Sequence, residues 1–128
     1  AEPDTFAAYA PVAGGFWRPH PTECAGPVRL FHTHGWRDST VPLEGRILGS
    51  YQLQQGDIFA GLEIWRAANL CPDEKPTHFS ETGPFLRRAW TECASDSALE
   101  FALHPGGHSV PVGWADMVLD WFEDGLTN

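Results

Sequence analysis

Three short segments, the first of them a continuous apolar run and each closed by glycine or by proline and glycine, constrain the fold of this chain more than any other feature. They cover residues 5–13, 28–34 and 98–104. A short continuous apolar run that stops at glycine is typical of a buried strand entering a loop. Pro11 also argues against a helix in the first run, because proline disrupts a helix interior. We therefore predict three buried strands.

Two further segments carry apolar residues at helical spacing. Residues 57–70 follow this pattern, with Asp57 as a suitable N-cap. Residues 114–122 form a second amphipathic segment, and Gly125 is a suitable helix stop. Residues 86–93 fit either a strand or an irregular segment. The remaining Pro-rich and polar stretches are predicted to be loops, including the one that begins at Cys71.

The predicted order is strand, strand, helix, strand, helix. At 128 residues the chain is long enough for one domain. This order predicts an α/β fold whose last three strands are mainly parallel, with helices on the faces of the sheet. Ligands of such sheets bind outside the carboxyl ends of the strands. The loops after His34 and His104 are therefore the predicted site.

Charge and hydropathy exclude several classes of partner. The net charge is −9, with only 8 Lys and Arg. Nucleic acids and anionic membranes both require a basic surface, so we expect neither as a partner. No apolar run approaches the roughly 18 residues of a membrane span. No signal peptide is visible at Ala1, which is not a methionine, so we expect that a preceding segment was removed or left out.

The two site loops carry residues that can form an acid–base pair. Asp38 lies in the first loop, and His108 follows Gly106 and Gly107 in the second. An aspartate that accepts from one ring nitrogen fixes the histidine tautomer and leaves the other nitrogen free to take a proton from a nucleophile. The alternative is a capping aspartate and an unrelated surface histidine.

Other candidate residues allow two interpretations each. His32 and His34 lie two apart on a strand, so they share one face and could bind a metal. No third ligand is evident, and buried structural histidines are the alternative. Trp36 and Trp17 lie in predicted loops and could stack on a polymer or an aromatic acyl group, or could simply pack. We expect no metal and no cofactor.

Several segments resemble the polyhydroxybutyrate depolymerase and feruloyl esterase family of α/β-hydrolases. Residues 28–42 (VRLFHTHGWRDSTVP) resemble its acid-bearing segment, an apolar strand followed by His-Gly-x-x-Asp and Val-Pro. Residues 6–15 (FAAYAPVAGG) resemble the preceding strand. Residues 106–111 (GGHSVP) resemble the base segment, although Val110 stands where tryptophan is common. The similarity extends over nearly the whole chain.

The resemblance implies that Asp38 is the acid and His108 the base of a Ser–His–Asp triad. The family nucleophile lies in Gly-x-Ser-x-Gly, and no serine of this sequence has that context. We therefore expect residues 1–128 to be the C-terminal portion of a single catalytic domain whose missing N-terminal half carries the nucleophile. Alone, this chain should be inactive. It should also aggregate or pair with another chain through the exposed edge of residues 5–13.

The resemblance also implies a disulfide between Cys71 and Cys93, since a cysteine pair often flanks the corresponding segment in the family. Three buried thiols are the alternative. A disulfide would indicate export, so we expect a secreted or periplasmic protein. Cys24 would then have no partner within the chain.

The implied activity is hydrolysis of a carboxylic ester. Polyhydroxyalkanoate is the first expected substrate, and feruloyl or acetyl esters of plant-wall polysaccharide are the second. The main rival function is a non-catalytic module that binds a polysaccharide or another polymer through its loop tryptophans. A small metalloprotein using His32 and His34 is a further rival.

Overall fold

The computed structural model describes residues 8–14, 27–45, 47–48, 53–54 and 56–127. The elements follow the chain as β1 (Arg29–Gly35), β2 (Ile47–Leu48), β3 (Leu53–Gln54), α1 (Ile58–Ala68), β4 (His78–Thr82), β5 (Phe85–Trp90), β6 (Ala98–His104) and α2 (Trp114–Thr127). Trp17, Cys24 and the first three residues of the predicted strand over 5–13 lie outside the described residues. No helix within the described ranges is both long and apolar enough to cross a membrane.

A four-stranded sheet with the order β1-β6-β5-β4 organises the chain. Strands β1 and β6 are parallel, with Arg29 opposite Ala98 and Gly35 opposite His104. Residues 8–14 run parallel to the other edge of β1 through two isolated bridges. The predicted strands over 28–34 and 98–104 are therefore confirmed, as is the α/β class.

The sheet as a whole is mixed, so the prediction of a mainly parallel sheet is wrong for the half that contains β4 and β5. Strand β5 is antiparallel to both β6 and β4. Strands β4 and β5 form a hairpin in which Gly83, with φ +54°, occupies the turn. Strand β4 lies inside the region predicted to be a loop. Its side chains are mostly exposed, so the sequence carries no apolar pattern there.

Side-chain alternation along β1 and β6 separates two cores on opposite faces of the sheet. The face under α1 buries Val28, Leu30, Ile58, Leu62, Leu99, Phe101 and Leu103. The opposite face buries Phe31, Phe85, Ala102 and Met117, with Trp114, Val118 and Trp121 of α2 packed against them. Because both faces are covered, side chains on both faces of these two strands are buried, including the polar His32, Thr33 and His34 of β1.

The helices begin where the sequence predicts. Asp57 caps α1 by accepting from the Phe59 and Ala60 amides. Helix α2 begins at Trp114, but the proposed stop at Gly125 is wrong, because the helix continues to Thr127.

A covalent and a polar link join the end of α1 to the start of the parallel strands. Cys71 and Cys93 form a disulfide, as predicted. The fully buried Asn69 side chain accepts from the Val28 amide and donates to the Val28 and Ala98 carbonyls. These contacts fix the amino ends of β1 and β6, so that their carboxyl ends also lie side by side.

Candidate active site

The loops after β1 and β6 are joined by backbone hydrogen bonds. The Trp36 amide donates to the His104 carbonyl at 2.9 Å, and the Arg37 amide donates to the Gly106 carbonyl at 3.1 Å. Gly35 permits this approach. A Cβ atom there would collide with the Gly106 carbonyl oxygen and would lie 2.6 Å from the Gly107 carbonyl oxygen. The parallel pairing thus sets the distance between the two predicted site loops.

Asp38 occupies a tight turn at the end of β1. Its amide donates to the Gly35 carbonyl at 3.2 Å. Its Oδ1 accepts from the Thr40 and Val41 amides at 2.9 and 2.8 Å. The side chain is fully buried, and its second oxygen, Oδ2, accepts from His108 Nδ1 at 2.9 Å. The structure thus brings the two predicted residues into direct contact.

His108 stands at the surface above this buried carboxylate. Its side chain is 45% exposed. Since Nδ1 faces the carboxylate, the proton of the neutral ring belongs on Nδ1, and Nε2 carries the lone pair. Within the described part of the chain, no serine hydroxyl bonds to Nε2. An exposed imidazole with this tautomer can act as a general base.

The surroundings of Asp38 keep it ionised. Burial raises the pKa of a carboxyl group, but the hydrogen bonds from the Val41 amide and from His108, together with the nearby imidazoles, outweigh burial here. The pKa of Asp38 therefore lies below its usual range. A carboxylate is thus available at neutral pH to orient His108 and to stabilise its cationic form.

Two buried histidines of β1 lie beneath the turn. His34 Nε2 donates to the Val41 carbonyl at 2.6 Å and lies 3.6 Å from Asp38 Oδ2. His32 Nε2 contacts His34 Nδ1 at 3.0 Å. Burial lowers the pKa of both rings, that of His32 to about 3. These are the shared-face histidines of the sequence, and they bond to each other.

A third buried histidine shapes the other loop. His104 Nδ1 accepts from the Gly106 amide at 3.1 Å. Its Nε2 has no partner among the described residues. The pKa of His104 is lowered mainly by burial and to a smaller extent by repulsion from His34. The spacing of His104 in the sequence does not indicate this role, because its contact is with the turn directly after it in the chain.

The remaining predicted residues are placed as follows. Trp36 is 44% exposed in the loop that carries Asp38. Trp17 lies outside the described residues. Cys71 and Cys93, joined to each other, belong to the opposite end of the sheet. Within the described ranges, no group of three His, Cys, Asp or Glu side chains could hold a metal ion.

An apolar cavity of about 180 Å³ lies on the α1 side of the sheet. Its lining residues are Pro11, Gly14, Leu30, His32, Ile58, Gly61, Leu62 and Trp65. Among the described residues it therefore adjoins the buried His32 rather than the exposed ring of His108.

Comparison with protein-family models and with curated protein sequences finds no match to this chain. The assignment of a function thus depends on the geometry of the site: a buried carboxylate, an oriented imidazole and an exposed lone pair.

Proposed function

We propose that this chain supplies the acid and the base of a Ser–His–Asp triad in a carboxylic-ester hydrolase. The observation that carries the proposal is the 2.9 Å contact between Asp38 Oδ2 and His108 Nδ1. A buried carboxylate behind an exposed imidazole matches the required roles, because the carboxylate selects the tautomer and the solvent-facing nitrogen transfers the proton. Because the sequence lacks Gly-x-Ser-x-Gly, this proposal assigns the nucleophile to another polypeptide segment.

The reaction uses His108 twice. Its Nε2 takes the proton of the serine hydroxyl as the serine oxygen bonds to the ester carbonyl carbon, and the imidazolium gives that proton to the departing alkoxide. Water then attacks the acyl-serine with the same assistance, which releases the acid and restores the serine. Asp38 stays ionised throughout and stabilises the imidazolium.

The surroundings of the pair favour an ester with an extended or aromatic part. Trp36 presents a large ring two residues before Asp38, and a polymer chain or a feruloyl group could stack on it. Polyhydroxyalkanoate and plant-wall esters both have these properties. The Cys71–Cys93 disulfide supports a secreted or periplasmic protein, since disulfides persist in oxidising compartments.

The test is an assay of the natural open reading frame that contains this chain, with p-nitrophenyl butyrate as substrate. We expect Asp38→Asn to lower kcat by a factor on the order of 10⁴. Asp116→Asn, on the exposed face of α2, is the matched control and should retain full activity. Equal activity in the two variants would sink the proposal. So would a reading frame with neither a Gly-x-Ser-x-Gly segment nor a partner chain that restores hydrolysis.

A binding module is the second candidate, because the exposure of Trp36 fits stacking on a polymer without any chemistry. Co-sedimentation of this chain with polyhydroxybutyrate granules and with xylan separates the two functions. A binding module predicts that Trp36→Ala abolishes sedimentation and that Asp38→Asn leaves both sedimentation and hydrolysis unchanged.

A further inference from the structure

His34 makes a polar contact at each of its two ring nitrogens in addition to packing in the interior. Its side chain is fully buried at the carboxyl end of β1. Its Nε2 lies 2.6 Å from the Val41 carbonyl oxygen. Because a carbonyl can only accept, the proton must be on Nε2.

The other ring nitrogen completes the assignment. Burial keeps His34 neutral by lowering its pKa, so Nδ1 carries a lone pair. That lone pair accepts from His32 Nε2 at 3.0 Å. The two rings lie nearly parallel, at an interplanar angle of 8°. His32 itself is 7% exposed, and its ring packs against Phe101. The Val41 carbonyl therefore fixes the tautomer of His34, and His34 in turn requires a proton on His32 Nε2.

The chain of hydrogen bonds ends on the acid. Val41 accepts from His34 through its carbonyl and donates through its amide to Asp38 Oδ1. His34 Nε2 also lies 3.6 Å from Oδ2, the oxygen that accepts from His108. His34 thus contacts the turn at the residue that orients one carboxylate oxygen, and its Nε2, whose proton is donated to the Val41 carbonyl, lies 3.6 Å from the other.

We propose that His34 is a positioning residue for the Asp38–His108 pair: locked as the Nε2–H tautomer between His32 and Val41, it holds the acid-bearing turn and aims Oδ2 at His108. This inference rests on the proposed function, in which that contact sets the protonation of the base. A core histidine without this role could be replaced by an aromatic ring of similar size with no effect on His108. A positioning histidine could be replaced only by a side chain that donates to Val41.

The experiment is solution NMR of the imidazole nitrogens in this chain, at a pH where His108 is neutral. The variants are His34→Gln, which can still donate to Val41 and accept from His32, and His34→Phe, which can do neither. His78→Gln, on the exposed strand β4, is the control for the loss of a histidine elsewhere. Two-bond nitrogen–proton correlations report which nitrogen of each ring is protonated.

We expect the wild type and the control to show His34 protonated at Nε2 and His108 at Nδ1. His34→Gln should retain the Nδ1 proton of His108. His34→Phe should lose that signal, with His108 moving to the Nε2–H form. Retention of the His108 Nδ1 proton in a folded His34→Phe variant would overturn the inference.

A second measurement decides the question if His34→Phe does not fold. Scalar coupling across the hydrogen bond between His34 Nε2–H and the Val41 carbonyl carbon should be present in the wild-type chain. Its absence, or a His34 proton on Nδ1, would refute the inference. Neither measurement depends on hydrolysis, so a protein without esterase activity could pass both, and an active esterase could fail both.

Discussion

Acidification should destabilise this protein through its buried imidazoles, and the contribution of His32 can be worked out. His32 is 7% exposed, and burial followed by repulsion from His34 lowers its pKa from 6.5 to about 3. Between these values the unfolded chain binds a proton at His32 and the folded chain does not. The contribution of His32 to the free energy of unfolding therefore falls as the pH falls below 6.5 and stops falling near pH 3.

The size of the effect follows from the two pKa values. Between pH 7 and pH 5, proton binding to the unfolded state alone removes about 2 kcal/mol of stability. Whole domains are stable by only about 5–15 kcal/mol, so this loss is large. His34 and His104, whose pKa values burial also lowers, act in the same direction. Asp38, with its lowered pKa, contributes only at more acidic pH, where the carboxylate itself is protonated.

Urea denaturation followed by tryptophan fluorescence at pH 7 and pH 5 measures this loss. His32→Phe keeps an aromatic ring against Phe101 and removes the titrating group. The wild type should lose about 2 kcal/mol more than this variant between the two pH values. His78→Gln should lose as much as the wild type, since its position is exposed. If the wild type and His32→Phe differ by less than about 0.5 kcal/mol, His32 titrates normally in the folded state and the reasoning fails.

Three further variants test the contacts that hold the fold together, by urea denaturation at pH 7. Gly35→Ala should cost about 1–3 kcal/mol, because its Cβ would push the two site loops apart; unchanged stability would contradict the close approach. Replacing Cys71 and Cys93 by serine should cost about 3 kcal/mol, and a much smaller loss would show that the disulfide constrains little. Asn69→Leu should cost about 2 kcal/mol, since the buried Val28 amide loses its acceptor; a neutral result would contradict this.

The parts of the fold that the sequence predicts well are those in which burial leaves a pattern. Strands β1 and β6 are covered on both faces, so apolar side chains occur on both faces of each strand. Helix α1 has a cap and an apolar stripe. Strand β4 is held by backbone pairing with β5 and exposes most of its side chains, so hydropathy gives no signal there. For residues 86–93 the sequence fits either a strand or an irregular segment, and the structure has strand β5 over Phe85–Trp90.

Some features of the candidate site could also be predicted from the sequence, and others could not. The contact between Asp38 and His108 could be predicted because each residue follows a strand and a glycine at the same end of a pair of parallel strands. The shared face of His32 and His34 follows from their spacing of two. Their hydrogen bonds could not be predicted. They depend on where the turn places the carbonyl group of Val41, and no side-chain type encodes that position.

The two carboxylate oxygens of Asp38 have different partners: one accepts from the backbone of the turn and the other from His108. Oδ1 accepts two backbone amides, as in an ordinary turn, and an asparagine oxygen could do the same. Oδ2 accepts from His108, and an asparagine amide placed there would instead donate. Asp38→Asn should therefore keep the turn and switch neutral His108 to the Nε2–H tautomer, in which Nε2 can no longer accept a proton.

This split can be measured on the chain itself. Asp38→Asn should change the free energy of unfolding by no more than about 1 kcal/mol, since the turn hydrogen bonds remain. Nitrogen–proton correlations should show the His108 proton moved from Nδ1 to Nε2. A stable variant with His108 still protonated at Nδ1 would mean that the aspartate does not select the tautomer. A variant that unfolds would mean that the carboxylate is needed mainly for the turn, and the case for a catalytic acid would lose its geometric basis.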